Sequence, residues 1–226
     1  MKEILIVSAT PFEIAGLVAY LDSGFELKSG VYKNDYLSVT ILVSGLGMVN
    51  TTYALTGLLS SVDPYNLAIN AGLCGSFDRD TPLGTVVNIN KDTFGDLGVT
   101  EQDGSFVSAF DLRFISGDEH PYTDGWIVNK NGGGDFLPNK SSVTVNNVSG
   151  SIQGIAMLKQ KYTPDMESME GASFAFVCEK FEQNYLQIRA VSNFIEPRNR
   201  SNWNVELALD NLNEVLIGML QALSER

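Results

Sequence analysis

The chain has 226 residues, 44% of them hydrophobic and 19% charged, with a formal net charge of −12. Such a chain can bury a substantial core as one large domain or two small ones. The negative charge, with no lysine or arginine cluster to offset it, sets nucleic acid aside as a partner, and no apolar run approaches the roughly 20 residues of a membrane span. Taken along the chain, EILIVS (3–8) is a buried strand, and the apolar run around it is too short for a secretory signal. A helix follows from about Phe12 to Leu21. Residues 31–45 read as two strands, the second ending at Gly45, and 48–60 carry a helical apolar spacing. NLAINAGLCGS (66–76) is a strand entering a glycine turn, and GTVVNINKDTF (84–94) is another strand.

The stretch 95–142 is rich in Gly, Asp and Asn, with NGGG at 131–134, and reads as a mostly irregular excursion. A strand at 143–150, a helix at 168–182 and a strand at 185–194 come next. The last segment, 205–223, sets Leu209, Leu212, Val215, Leu216, Met219, Leu220 and Leu223 on one stripe, as an amphipathic helix requires. Strand–helix alternation without an internal repeat or linker predicts a single α/β domain over 1–226, with a mixed, largely parallel central sheet flanked by helices. Cys74 and Cys178 lie in apolar stretches and read as buried thiols, and the one histidine, His120, has no Cys/His company. No disulfide framework and no metal are expected, and the expected compartment is the cytoplasm.

In such sheets ligands sit beyond the carboxyl ends of strands. Four segments fall there: SATPFE (8–13), SGLG (44–47), NAGLCGS (70–76) and SNFIEPRNR (192–200). DMESMEG (165–171) joins them by preceding a helix. Glu13 falls in a first helical turn after Pro11, where an acid complements the macrodipole whether or not it has other work. Gly45, Gly47, Gly72 and Gly75 let backbone approach a ligand and offer N–H donors. Neither glycine stretch fits the dinucleotide or Walker pattern, so no NAD, ATP or other cofactor is expected. Glu170, followed by Gly171-Ala172-Ser173, is an acid among small residues, and a carboxylate accepts well from two vicinal hydroxyls. Asp165 and Glu167 read equally as helix-capping acids.

MEGASFAFVC (169–178), with NAGLCGS, SGLG, Glu13 and Ser192-Asn193, resembles the one-domain nucleosidase/nucleoside phosphorylase family from the first strand to the last helix. Within it, DMESMEG followed by SNFIEPRNRSNWN is most similar to the futalosine hydrolase branch. The resemblance implies that Glu13 activates water, that Met169 and Glu170 hold the ribose, and that Asn193 binds the purine, with Glu167 left to a structural part. It also implies a small-molecule nucleoside substrate, a step in menaquinone biosynthesis, and a homodimer or higher homo-oligomer. Phosphorylases of the family carry an arginine before the Gly-x-Cys-Gly turn; Asn70 stands there, which favours hydrolysis. Adenosine-type nucleosidases have Ser-Asp where this chain has Ser192-Asn193. An Asn amide can donate to both N7 and O6 of a 6-oxopurine, which points to hypoxanthine, although Asn193 also suits a turn cap. Arg198 and Arg200 are candidates for a substrate carboxylate, or for surface pairs with Glu196 or Asp210. Methylthioadenosine/S-adenosylhomocysteine nucleosidase and nucleoside phosphorylase are the alternatives. Trp126 and Trp203 read as packing residues by default, and Phe94, Phe110 and Tyr122 as candidates for pocket walls.

Overall fold

The computed structural model describes residues 1–130 and 136–225, so the NGGG run at 131–134 lies outside the described residues. Strand β1 (Lys2–Ser8) alternates its side chains between two layers: Ile4 and Ile6 enter one core cluster, Leu5 and Val7 the other. A 3-10 turn (Pro11–Ile14) leads into α1 (Ala15–Gly24), and β2 (Glu26–Lys28), β3 (Val31–Lys33) and β4 (Leu37–Val43) follow. Helix α2 (Gly47–Leu59) precedes the two long strands β5 (Leu67–Ser76) and β6 (Val86–Phe94). Short strands β7 (Gly98–Thr100), β8 (Phe106–Ser108), β9 (Tyr122–Thr123) and β10 (Trp126–Val128) occupy the excursion. Then come β11 (Asn139–Thr144), α3 (Ile152–Tyr162), β12 (Met166–Ser168), α4 (Gly171–Lys180), β13 (Tyr185–Phe194), a second 3-10 turn (Arg200–Asn202) and α5 (Val205–Ser224).

Strands β4, β1, β5 and β13 lie parallel, side by side. Beyond β13 the sheet curls. β13 runs antiparallel to β6, β6 parallel to β11, β11 parallel to β12, and β12 antiparallel back onto β5. Five strands thereby close a ring, and the mixed sheet is flanked by helices as expected. Helices α1 and α5 bury Leu17, Leu21, Leu212, Leu216 and Leu220 on one face. Helices α2 and α4 bury Leu55, Leu59, Phe174 and Val177 on the other. Both cysteines are buried, and no described helix is long and apolar enough to cross a membrane.

Three expectations move. The strand placed at 143–150 lies at 139–144, because the chain then leaves the sheet to bond elsewhere: Asn146 N donates to Asp96 Oδ2 at 2.7 Å and Ser149 N to Glu167 Oε1 at 2.9 Å. Ser151 then caps the unpredicted helix α3, accepting from Gly154 N at 3.1 Å. Finally, the helix drawn over 168–182 begins at Gly171, since Met166–Ser168 pairs with both β11 and β5 as a strand. Glu167 is therefore a strand residue rather than a capping acid, and Asp165 accepts from Ser141 N and Oγ, each at 2.8 Å.

Candidate active site

The ends of β1 and β5, the middle of β13 and the start of α4 bring Glu13, Arg189 and Glu170 near one another. Glu13 sits in the 3-10 turn after β1, and its two oxygens have different surroundings. Oε2 accepts from Ser8 Oγ (3.1 Å), Thr10 N (3.0 Å) and Thr10 Oγ1 (3.1 Å), a reciprocal cap of the turn. Oε1 accepts only a long bond from Leu73 N at 3.3 Å. The turn itself is pinned from α5 by the buried Asn213, whose Nδ2 donates to Glu13 O at 3.0 Å and whose Oδ1 accepts from Leu17 N at 2.7 Å. The capping bonds thus fall on one oxygen of Glu13 and leave the other with a single long contact.

Glu170 precedes α4 and is 5% exposed. It accepts from Gly47 N at 3.0 Å, so the positive end of α2 faces its carboxylate. Burial raises its pKa, and the charge of Arg189 works against that rise. Gly47, with φ of +85°, makes this contact, while Gly45 shapes the same turn at φ +88° beside Asn50. Met169 is half-buried next to Glu170. Glu167 faces away: it accepts from Ser149 N and Oγ and so anchors the 146–150 segment.

Arg189, in the middle of β13, is 1% exposed. Its Nη2 donates to Asn70 Oδ1, and Asn70 Nδ2 donates to Val7 O at 3.1 Å, linking three strands. A Cβ added to Gly72 would stand 2.3 Å from Arg189 Nη1 and 2.9 Å from Glu13 Oε1. The missing side chain of Gly72 thus makes room for a guanidinium and a carboxylate rather than for backbone approach to a ligand. Asn70 marks the absence of an arginine on β5, but the site is not without a cation. β13 delivers one, fully buried and tied to Asn70. Gly75, one turn of strand further, has Asn193 Nδ2 3.1 Å and Ile195 Cδ1 2.2 Å from where its Cβ would sit.

No protein-family model matches the chain. A futalosine hydrolase of Streptomyces coelicolor is 29% identical over 154 residues, covering 68% of this chain and 64% of that protein. A futalosine hydrolase of Thermus thermophilus is 25% identical, covering 76% of each. A 5′-methylthioadenosine/S-adenosylhomocysteine nucleosidase of Lysinibacillus sphaericus is also 25% identical, covering 84% of this chain and 85% of that one. Among solved structures, the Helicobacter pylori futalosine hydrolase superposes with a TM-score of 0.69 at 18% identity, over 98% of both chains. A nucleosidase of the methylthioadenosine type from Colwellia psychrerythraea, in complex with adenine, gives 0.76 at 18% identity, over 98% of this chain and 96% of that one. The chain is similar to nucleosidases in sequence and shares their fold. Its sequence relatives stand on the N-glycosyl hydrolase side of the nucleosidase/nucleoside phosphorylase family.

Asn193 lies at a bulge where β13 shifts register against β5. Its Oδ1 accepts from Ser192 Oγ at 2.9 Å and its Nδ2 donates to Phe194 O at 3.1 Å. It lines a slot of about 60 Å³ with Gly75, Glu167, Arg198 and Trp203. That volume holds about two waters at liquid density. A larger apolar cavity of about 810 Å³ opens between α2 and the Ser173–Phe176 face of α4. Phe94 and Tyr122 wall it, together with Met48, Tyr53 and Phe176, and Phe110 packs behind Tyr122 with ring centroids 5.0 Å apart. Arg198 stacks on Trp203 at 5.4 Å, and Arg200 is exposed. Neither pairs with Glu196, which instead binds Arg79 at 2.5 Å and Asn202 Nδ2 at 2.7 Å. His120 is remote, its Nε2 lying 3.2 Å from Glu179 O, and Trp126 packs edge-on to Tyr162 at 6.1 Å.

Two residues of the site escaped the sequence reading. Arg189 had a signal in IRAVSN: an arginine within a strand, two residues from Gln187 and so on a common face with it by the period of two. Asp92 had none beyond an acid at a strand end; it is fully buried below Glu170 and is taken up again below.

Proposed function

We propose that this chain hydrolyses the N-ribosyl bond of futalosine and releases hypoxanthine, the menaquinone-pathway step that the resemblance implies. The observation that carries the hydrolytic part is the convergence of Glu13 Oε1 and Arg189 over Gly72, within the same site as the buried Glu170. Oε2 of Glu13 is filled by three donors, so Oε1 is the oxygen with capacity left to take a proton from water. A general base needs that kind of fixed, partly unsatisfied geometry. Glu170 is the ribose acid: its carboxylate accepts from the 2′- and 3′-hydroxyls and stands by as the sugar gains oxocarbenium character. Asn193 holds the purine through its NH2, which donates to N7 and O6 once the bond to Phe194 O is given up, and Ser192 Oγ fixes the amide by donating to its oxygen.

Futalosine as the substrate is supported by the two futalosine hydrolase relatives and by the amide at Asn193. The apolar cavity between α2 and α4 suits an aromatic substituent on the ribose, and Arg198 and Arg200, without an ion pair among the described residues, suit its carboxylate. The homo-oligomer expected of the family is assigned to the α2 surface, where Val49 and Tyr53 are 78% and 83% exposed; its setting is the cytoplasm. The second reading, a methylthioadenosine-type nucleosidase, draws on the Lysinibacillus relative. Purine release in phosphate-free buffer separates them, with futalosine, inosine and methylthioadenosine as substrates. Hypoxanthine from futalosine alone is the expected result. Adenine from methylthioadenosine would overturn the base assignment but not the roles of the acids, and a strict need for phosphate would overturn hydrolysis.

A further inference from the structure

Beneath the site, a polar stripe lies where an apolar layer is the rule. Asp92 of β6 and Gln187 of β13 are 0% and 1% exposed and face each other under the first residue of α4. A Cβ on Gly171 would stand 2.3 Å from Asp92 Oδ2 and 2.3 Å from Gln187 Oε1, so the two oxygens are separated by at most twice that distance. Neither oxygen has a hydrogen-bond partner among the described residues. The other oxygen of Asp92 is accounted for. Ala172 N donates to Thr144 Oγ1 at 2.7 Å, and Thr144 passes its single proton to Asp92 Oδ1 at 3.0 Å. Two buried acceptors side by side with no donor between them are costly, and one proton on the carboxyl removes the cost for both.

We propose that Asp92 is a positioning residue that carries a proton donated to Gln187, and that its ionisation sets a further buried carboxylate in competition with Glu13 and Glu170 for the charge of the Arg189 guanidinium. The effect on catalysis rests on the hydrolase reading; the protonation does not. Burial pushes the Asp92 carboxyl up to about 7, with the Thr144 hydroxyl, the Arg189 charge, the Gln187 side chain and the Thr93 backbone pulling the other way. The charged groups facing it are few. β13 contributes Arg189 and the phenol of Tyr185, and Glu170 stands at the head of α4 under the same guanidinium. β11 offers only hydroxyls, β10 pairs Ile127 with Asp92, and Lys91 points off the other way, over the Trp126 ring. With Asp92 neutral, Arg189 serves Glu13 and Glu170. With Asp92 ionised, a third buried carboxylate competes for the one cation, and Arg189 Nε, unpartnered as the chain stands, is available to it.

The test uses the full chain and two variants, Asp92→Asn and Gln187→Leu. Asp92→Asn keeps a donor toward Gln187 and an acceptor for Thr144 while removing the titration. Infrared difference spectra against wild type are expected to show a protonated-carboxyl C=O band near pH 6 that the Asn variant lacks and that disappears on ionisation. Wild-type kcat/KM should fall about tenfold per pH unit above that titration, and the fall should be absent in Asp92→Asn. Gln187→Leu removes the acceptor of the protonated form, so the band and the rate limb should both move to lower pH. A shift to higher pH would mean that the Gln187 amide is reversed and donates to a carboxylate, which overturns the proposal, as does the absence of the band. Should Asp92→Asn fail to fold, the direction of the Gln187→Leu shift decides alone. Should no nucleoside be cleaved, the hydrolase reading fails while the infrared titration still decides the proton.

Discussion

Arg189 and Glu13 meet over a glycine: Nη1 of one and Oε1 of the other lie 2.3 Å and 2.9 Å from the point where a Gly72 Cβ would be. A guanidinium clamped by Asn70 on a strand cannot swing clear as an exposed side chain would. Gly72→Ala is therefore expected to separate the pair, at a cost of about 1–3 kcal/mol in stability from overpacking. It should also lower kcat at least tenfold with a smaller change in KM, because the ribose and base contacts lie elsewhere. Urea unfolding and steady-state kinetics check both halves. An alanine variant with wild-type kcat would show that the pair is not part of the chemistry.

Glu13→Gln tests the base directly. The amide oxygen would turn toward the three donors now held by Oε2, leaving an NH2 beside Leu73 N and Arg189, where a proton acceptor is needed. Turnover should drop about 10²- to 10⁴-fold while the nucleoside still binds. Single-turnover rates and calorimetric binding of the same substrate check it. Normal turnover would remove Glu13 from the mechanism.

The pH dependence of stability carries its own sign. Glu167, Glu170 and Asp92 are all raised by burial. In the folded chain each holds a proton more tightly than in the unfolded chain. Stability should thus decline as pH rises from the ordinary carboxylate range through the raised values, to about 7 for Asp92, by up to about 1.4 kcal/mol per pH unit per group. Asp78 and Asp111 act oppositely. The Thr81 and Asp80 donors hold Asp78 down to about 2, and Lys161 holds Asp111 down to about 2, so their contribution is lost only as pH falls below about 4. The thermal midpoint is expected to peak in mild acid and to fall between pH 5 and pH 8. A midpoint that rises over that interval contradicts the burial assignments.

Local pattern carried most of the fold. The run ILIV of β1 and the leucine stripe of α5 announce strand and helix by period alone, and Glu13 and Glu170 stand out as acids at element starts. Arg189 did not stand out because arginine is almost never fully buried, and only the chain fold shows that Asn70, Gly72 and two carboxylates surround it. The short strand Met166–Ser168 has no local signal because its pairing to Gly75 and Ser76 lies some ninety residues away in sequence. The start of α3 was hidden for a similar reason: residues 145–149 continue a β-like pattern but spend their N–H groups on Asp96 and Glu167 instead of a ladder.

The two arginines after β13 are open to a substrate anion. Glu196 already binds Arg79 and Asn202, and among the described residues neither Arg198 nor Arg200 forms an ion pair with Glu196 or Asp210. A charge-assisted contact to a carboxylate is worth about 1.5–3 kcal/mol. One of Arg198→Ala and Arg200→Ala should then raise the futalosine KM about tenfold or more and leave that for inosine, if inosine is cleaved, unchanged. Unchanged KM in both variants would sink the assignment.

Asn193→Asp asks the base question in reverse. The side chain sits at the β13 bulge with its oxygen supplied by Ser192 Oγ and its NH2 directed to Phe194 O. A carboxyl of the same shape keeps the Ser192 contact but presents an ionised oxygen to the 6-oxo group of hypoxanthine. That contact is repulsive, whereas a 6-amino group can donate to it and a shared proton can serve N7. The variant should lose futalosine cleavage about a hundredfold and gain measurable adenine release from methylthioadenosine. Chromatographic scoring of both purines from both substrates checks the exchange. If Asp improves the leaving group for hypoxanthine as well, proton delivery outweighs the amide's fit to the 6-oxo edge, and the preference for a 6-oxopurine must then come from residues other than Asn193.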